Sequence, residues 1–157
     1  MGFANMEKTT NTLTDILKET GLEKIEDYFD TYADSLAANE RPFSAYMRDM
    51  FKKKGLLQQD IFLAADISEG YGYKLISEEK KTKQRDVILR LCIAAKFTLE
   101  ETQRALKLYG MSPLYPKVKR DAVLIVAINH SIYEISDIDD SLVSYGFEPL
   151  YSCRPAE

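Results

Sequence analysis

The chain has 157 residues, 45% of them hydrophobic and 29% charged, with a formal net charge of -4. That length predicts one domain, or one with an extension, able to bury about 70% of the surface its unfolded form exposes. Two distant cysteines and a single His exclude a disulfide framework or zinc cluster; no run of about 18 apolar residues could span a bilayer, and no charged-then-apolar leader opens the chain, so a cytoplasmic protein with reduced thiols is expected.

After a polar stretch to about Thr10, the segment 12–21 predicts a short helix with Leu13, Ile16 and Leu17 on one side and Gly21 as its stop. Leu22 to about Ala38 predicts a second helix, its inward face Leu22, Ile25, Tyr28 or Phe29, Tyr32 and Leu36. Its other face, Glu23, Glu26, Asp27, Asp30 and Asp34, is acidic. Such a face is usually solvated; its functional readings are a surface for a protein partner or a mimic of DNA. Pro42 opens a helix over 43–54 in which Phe43, Tyr46, Met47, Met50 and Phe51 fall at i, i+3, i+4, i+7 and i+8. Lys52, Lys53 and Lys54 load its end, favourably for the dipole, and Gly55 stops it.

Leu56–Glu78 reads as two short helices, about 58–65 and 69–77, joined at Asp66-Ile67-Ser68. Ile61, Ala64 and Ala65 give the first an inward face; Ile67 plugs the corner; Leu75 and Ile76 anchor the second; Ser68 is a candidate N-cap. Two helices joined by a three- to four-residue turn have the helix-turn-helix layout. The loop 79–85 follows, with the cations Lys80, Lys81, Lys83 and Arg85.

A helix is expected over 86–96 with Val87, Ile88, Leu91, Cys92, Ala94 and Ala95 mostly buried, then one opened by a capping box, Thr98 and Glu101, with Leu99, Ala105, Leu106 and Tyr109 inward. The segment 112–116 is a Pro-bounded linker to a helix over 117–129, whose apolar run 122–128 must be covered on most sides, by a helical partner or a dimer interface. The last helix, 135–145, has Ile138 and Leu142 inward and Gly146 as stop. Asp137, Asp139 and Asp140 lack the spacing of a calcium loop and read as first-turn carboxylates. Residues 147–157 read as a tail. The expected fold is all-α.

Charge is unevenly distributed. Residues 41–130 hold 17 Lys/Arg against 10 Asp/Glu, whereas 1–40 hold 3 against 9 and 131–157 hold 1 against 6. A basic middle that coincides with the two short helices is the pattern expected of a module contacting nucleic acid.

Residues 56–78 resemble the helix-turn-helix of the phage-repressor (Cro/C1, or XRE) family. The wider run 42–150 is similar to a Firmicute subgroup of it, through YGYKLIS, KQRDVILRL, TLEETQRALKLYG, SPLYPKVKRDAVLIVAI and SYGFEPL. The departures are Phe62 where a small residue is preferred, and Asp66 and Glu78 where Gly is usual. The resemblance implies a lambda-repressor-like five-helix DNA-binding bundle over 41–111. An acidic N-terminal helical extension over 1–40, a C-terminal helical pair over 112–150 and a tail over 151–157 would be added to it.

It also implies that Glu69, Gly70, Tyr71, Lys74 and Ser77 face the bases of double-stranded DNA, Tyr71 meeting a thymine methyl and Lys74 a guanine edge. Glu69, an acid facing phosphates, could accept from a cytosine amino group. Gln58, Lys80, Lys81 and Lys83 would hold phosphates, and a homodimer would set half-sites about one helical turn apart. The function so implied is a transcriptional regulator without catalytic residues, metal or cofactor. The alternative is a protein-interaction adaptor on the same fold.

Overall fold

The structure, a computed structural model, describes residues 10–32 and 42–153. The described residues are helical and turn segments with no strand, so the fold is all-α. The chain divides into two compact units, residues 1–40 and 41–157.

The first unit has helix α1, Thr10–Glu19, a single 3-10 turn over Leu22–Lys24, and helix α2, Ile25–Thr31. The helix expected from Leu22 therefore begins as a tighter turn, with Leu22 exposed instead of inward; of the pair Tyr28 or Phe29 it is Tyr28 that turns in, and Leu17 is exposed as well. Tyr28 is the buried side chain among the described residues of this unit, its ring against Phe29 and Tyr32. Glu23, Glu26, Asp27 and Asp30 are exposed, while Asp34 and Leu36 lie outside the described residues.

The second unit runs α3 (Pro42–Lys53), α4 (Gln58–Ala65), α5 (Glu69–Ile76), α6 (Arg85–Ala94), α7 (Leu99–Leu108), α8 (Lys119–Asn129) and α9 (Ile135–Ser144). Helix α6 is its axle: residues 87–93 are all buried, and α4, α7 and α9 pack on it. The α3 stripe is inside as its spacing requires, Phe43, Met47, Met50 and Phe51 buried and Tyr46 half-buried. The α7 capping box forms, with the Thr98 hydroxyl accepting from the Glu101 amide and Glu101 accepting from the Thr98 amide at 2.9 Å. Lys54 reaches the same carboxylate at 2.9 Å. Burial pushes the Glu101 carboxyl up, but the Thr98 amide and the Lys54 ammonium outweigh it and hold the group below the usual carboxylate range. Cys92 is a core residue whose thiol is pushed up by burial.

Most helices of this unit end alike. One residue turns left-handed, and the amide after it returns to the carbonyl five positions back, as in Leu56 to Phe51, Ile67 to Phe62, Phe97 to Cys92, Met111 to Leu106, Ile132 to Ala127 and Phe147 to Leu142. Gly55, Gly110 and Gly146 suit that conformation, but Asp66, Lys96 and Ser131 adopt it at φ near +58° despite their side chains, and Glu78 does so after α5. The ends at Asp66, Lys96 and Ser131 each place an apolar residue, Ile67, Phe97 or Ile132, back on the core, which explains why the bend persists there without glycine.

Four long-range features were not foreseen. Arg90, 4% exposed in the middle of α6, donates to the carbonyls of Ala65 (3.1 Å), Leu150 (2.9 Å) and Tyr151 (2.7 Å). The dipeptides Arg85-Asp86 and Arg120-Asp121 pair crosswise, Arg85 with Asp121 and Arg120 with Asp86, each by two contacts. Gln103 grips both the amide and the carbonyl of Leu114, holding the linker down. The expected tail is partly anchored: Leu150 is buried, its amide donates to Asp139, the Tyr151 amide donates to Asp86, and Arg120 reaches the carbonyls of Glu148 and Pro149. Among the described residues no His, Cys, Asp and Glu group could hold a metal ion, and no helix is long and apolar enough to cross a membrane.

Candidate nucleic-acid interface

Helices α4 and α5 have eight residues each and meet at the corner Asp66-Ile67-Ser68. Asp66 supplies the left-handed residue, φ 58° and ψ 45°, that ends α4, and Ile67 is buried in the angle. Arg90 takes the last carbonyl of α4, so the corner is tied to the axle helix by a charged donor. Two local expectations fail here. Ala64 is exposed, because Phe62 takes the inward place beside Ile61 and Ala65. Ser68 occupies the N-cap position of α5 without a side-chain capping bond.

Phe62 fits because its counterpart is Gly72. A Cβ built on Gly72 would lie 2.5–2.7 Å from three Phe62 ring atoms. The large residue on α4 is thus matched by the missing side chain on α5, and the Phe62 ring also meets Tyr73 edge-on at 5.0 Å.

Gly72, Leu75 and Ile76 form the buried face of α5. The opposite face, at i, i+3, i+4 and i+7, is Gly70, Tyr73, Lys74 and Ser77. Gly70 is bare: a Cβ there would meet nothing within 4 Å. Lys74 is half-buried and Ser77 exposed, the Ser77 hydroxyl donating to the Lys74 carbonyl and accepting from the Glu79 amide. The aromatic residue displayed is Tyr73, 44% exposed, in place of the expected Tyr71. Tyr71 is half-buried and lines a hollow of about 300 Å3 with Ser68, Gln84 and Tyr151. Counting one helical turn from Gly70 would have found Tyr73 from the sequence. Glu69 is exposed at the first turn, four residues before Tyr73; partial burial, and after it the charge of this carboxylate, keeps the Tyr73 phenol above its ordinary range.

The phosphate candidates divide. Gln58 is half-buried on the side of α4 that carries Ile61, Phe62 and Ala65. Lys80 and Lys83 are exposed and, with Lys74, form no ion pair among the described residues. Lys81 is exposed 3.8 Å from Glu78, whose side chain is almost buried and accepts from the Ser44 hydroxyl. The loop is fixed at Thr82, whose amide donates to the Tyr109 hydroxyl at 2.8 Å, and Tyr109 packs edge-on to Phe43. Lys81 and Lys83 flank that point beside a hollow lined by Gly110 and Met111. Arg85, the fourth cation of the loop, is consumed by Asp121 and by the carbonyls of Ser112 and Pro113.

Comparison of the chain with protein families, with curated proteins and with solved structures returned no match.

Proposed function

We propose that this chain is a cytoplasmic, sequence-specific regulator that binds double-stranded DNA through α5, on a repressor-like helix-turn-helix bundle of the Cro/C1 (XRE) type. The observation that supports the reading is the outer face of α5: bare Gly70, then Tyr73, Lys74 and Ser77, followed by the unpaired cations Lys80 and Lys83. The absence of a side chain at Gly70 lets a groove wall approach the helix backbone. Lys74 can donate to a guanine edge, the Tyr73 ring can meet a thymine methyl, and Ser77 can take either donor or acceptor role. Tyr71 supports the helix from its flank. Lys80, Lys81, Lys83 and Gln58 would lie along phosphates, which fix register without reading sequence.

The test is anisotropy of a labelled duplex, chosen by selection from random sequence, against salt. Three lysine–phosphate contacts, the neutral Gln58 adding none, give a slope of log affinity on log salt of about -2.7. The variant Lys80→Glu, Lys81→Glu, Lys83→Glu should lose retention on every duplex. A flat salt response, or unchanged binding in that variant, overturns the reading.

A second reading is a protein-interaction adaptor on the same scaffold. It is favoured by Leu63, 78% exposed at the end of α4, beside Glu69 in a hollow that also takes in Gln59 and Ile67. An adaptor would be indifferent to reversal of the three lysines and sensitive to Leu63→Asp.

A further inference from the structure

Two helix starts open onto one hollow of about 300 Å3, closed on another side by the segment at Tyr151 and Cys153. Ser68 stands at the N-cap position of α5 and Gln84 at that of α6, and neither side chain makes a capping bond. A serine there ordinarily accepts from an amide one turn in, so this hydroxyl is withheld from its usual partner. The Gln84 side-chain amide and the Tyr71 hydroxyl likewise have no hydrogen-bond partner among the described residues. The Thr82 hydroxyl accepts from the Gln84 backbone amide at 3.0 Å and can still donate. The apolar part of the lining is buried Val87 with the rings of Tyr71 and Tyr151. No lining residue is charged, and the first turns of α5 and α6 carry Glu69 and Asp86.

We propose that this hollow binds an uncharged nucleobase compound, a free base or a nucleoside. A small-molecule site joins apolar lining to a few convergent polar groups, and this one sits at the low end of the usual range of about 300–1,000 Å3. Tyr71 and Tyr151 reach it from different elements, so a flat ring has phenol faces on which to stack. The Gln84 amide carries donors and an acceptor on one plane, the pair that meets a base edge by two hydrogen bonds. The Ser68 and Tyr71 hydroxyls can each give or accept a further one, from a ring nitrogen or a sugar hydroxyl. Charge disfavours a nucleotide: a phosphate would meet no cation in the lining and would lie beside helix starts that carry carboxylates. A cationic ligand would find no carboxylate in the lining either. The proposal stands apart from the DNA reading, because Gly70, Tyr73, Lys74 and Ser77 do not line the hollow and its occupant is measured without a duplex.

Cys153 reports on the site. It lines the hollow and is half-buried, whereas Cys92 is buried in the core, so Cys153 is the thiol that N-ethylmaleimide reaches in the folded chain. Calorimetric titration of the full chain with adenosine, guanosine, cytidine, uridine and adenine should give at least one dissociation constant on the order of 0.1 mM or tighter. That compound, at about ten times its dissociation constant, should slow Cys153 alkylation about tenfold. Gln84→Ala and Tyr151→Ala remove exposed side chains and leave the Tyr151 backbone contacts in place, and each should weaken binding at least about fivefold. Tyr145→Ala is the control: Tyr145 is 70% exposed on α9 outside the hollow, and its loss should leave binding as in the wild type. Affinities weaker than about 1 mM for all five compounds would overturn the proposal. So would binding that leaves Cys153 alkylation unchanged, or an equal loss of binding in Tyr145→Ala.

Discussion

Two glycines on α5, separated by one residue, should respond oppositely to the same substitution. At Gly70 a methyl group meets open space, so Gly70→Ala should add about 0.8–1.0 kcal/mol of stability from helix propensity. At Gly72 the same propensity gain is set against contacts of 2.5–2.7 Å with the Phe62 ring. Ordinary carbon contacts are about 3.5–4.0 Å, so α4 and α5 must separate by about 1 Å or Phe62 must leave its rotamer. Overpacking of this kind costs about 1–3 kcal/mol, and the Phe62 ring is confined on another side by Tyr73. Net, Gly72→Ala should be destabilising by up to about 2 kcal/mol. Phe62→Leu, mildly destabilising alone, should recover at least about 1 kcal/mol in the Gly72→Ala background, which is the non-additivity of a direct contact. Urea unfolding followed by circular dichroism measures all four proteins. A stabilised Gly72→Ala, or additive effects of the two changes, would refute the argument. The same pair separates folding from binding: Gly70→Ala, though more stable, should weaken retention on the selected duplex.

Arg90→Ala should cost about 3–5 kcal/mol in urea unfolding, because it orphans three carbonyls around a buried site; a loss below about 1 kcal/mol would show the guanidinium to be dispensable. Lys96→Gly should stabilise by about 0.5–1 kcal/mol, since Lys96 sits at φ 57° with an exposed side chain, and a lowered thermal midpoint would contradict this. The Glu101 pKa lies below its usual value in the fold, so the carboxylate contributes stability above the unfolded pKa of about 4.3 that is lost as pH falls through the folded value. Glu101→Gln keeps the capping geometry without that charge, so its stability deficit should shrink between about pH 5 and pH 3; a constant deficit would remove Glu101 from the acid response.

What could be read from the residues was what repeats locally. The stripe Phe43, Met47, Met50 and Phe51, the plug Ile67, the anchors Leu75 and Ile76 and the box Thr98–Glu101 each depend on neighbours within two turns. The left-handed end at Asp66 was masked because glycine is the usual signal, while the returning amide of Ile67 and its buried apolar side chain do the same work. Arg90 was invisible for another reason. An arginine inside an apolar run looks out of place until its carbonyl partners, 25, 60 and 61 residues away, are brought to it. Arg85 was assigned to the loop's positive charge because Asp121, 36 residues on, could not be seen to claim it. In the candidate site the lysines were legible from composition, but the choice between Tyr71 and Tyr73 needed the position of the buried face, which Phe62 and Gly72 define together.

One guanidinium holds both the last turn of α4 and the segment at Leu150–Tyr151. A deletion series that stops short of Leu150 would therefore do more than shorten the chain. It would strand a cation in the interior next to the corner that aims α5, and any loss of duplex retention would be misattributed to missing contacts. Pairing each truncation with Arg90→Met, which removes the stranded charge, would tell a lost touching surface from a corner that has slipped.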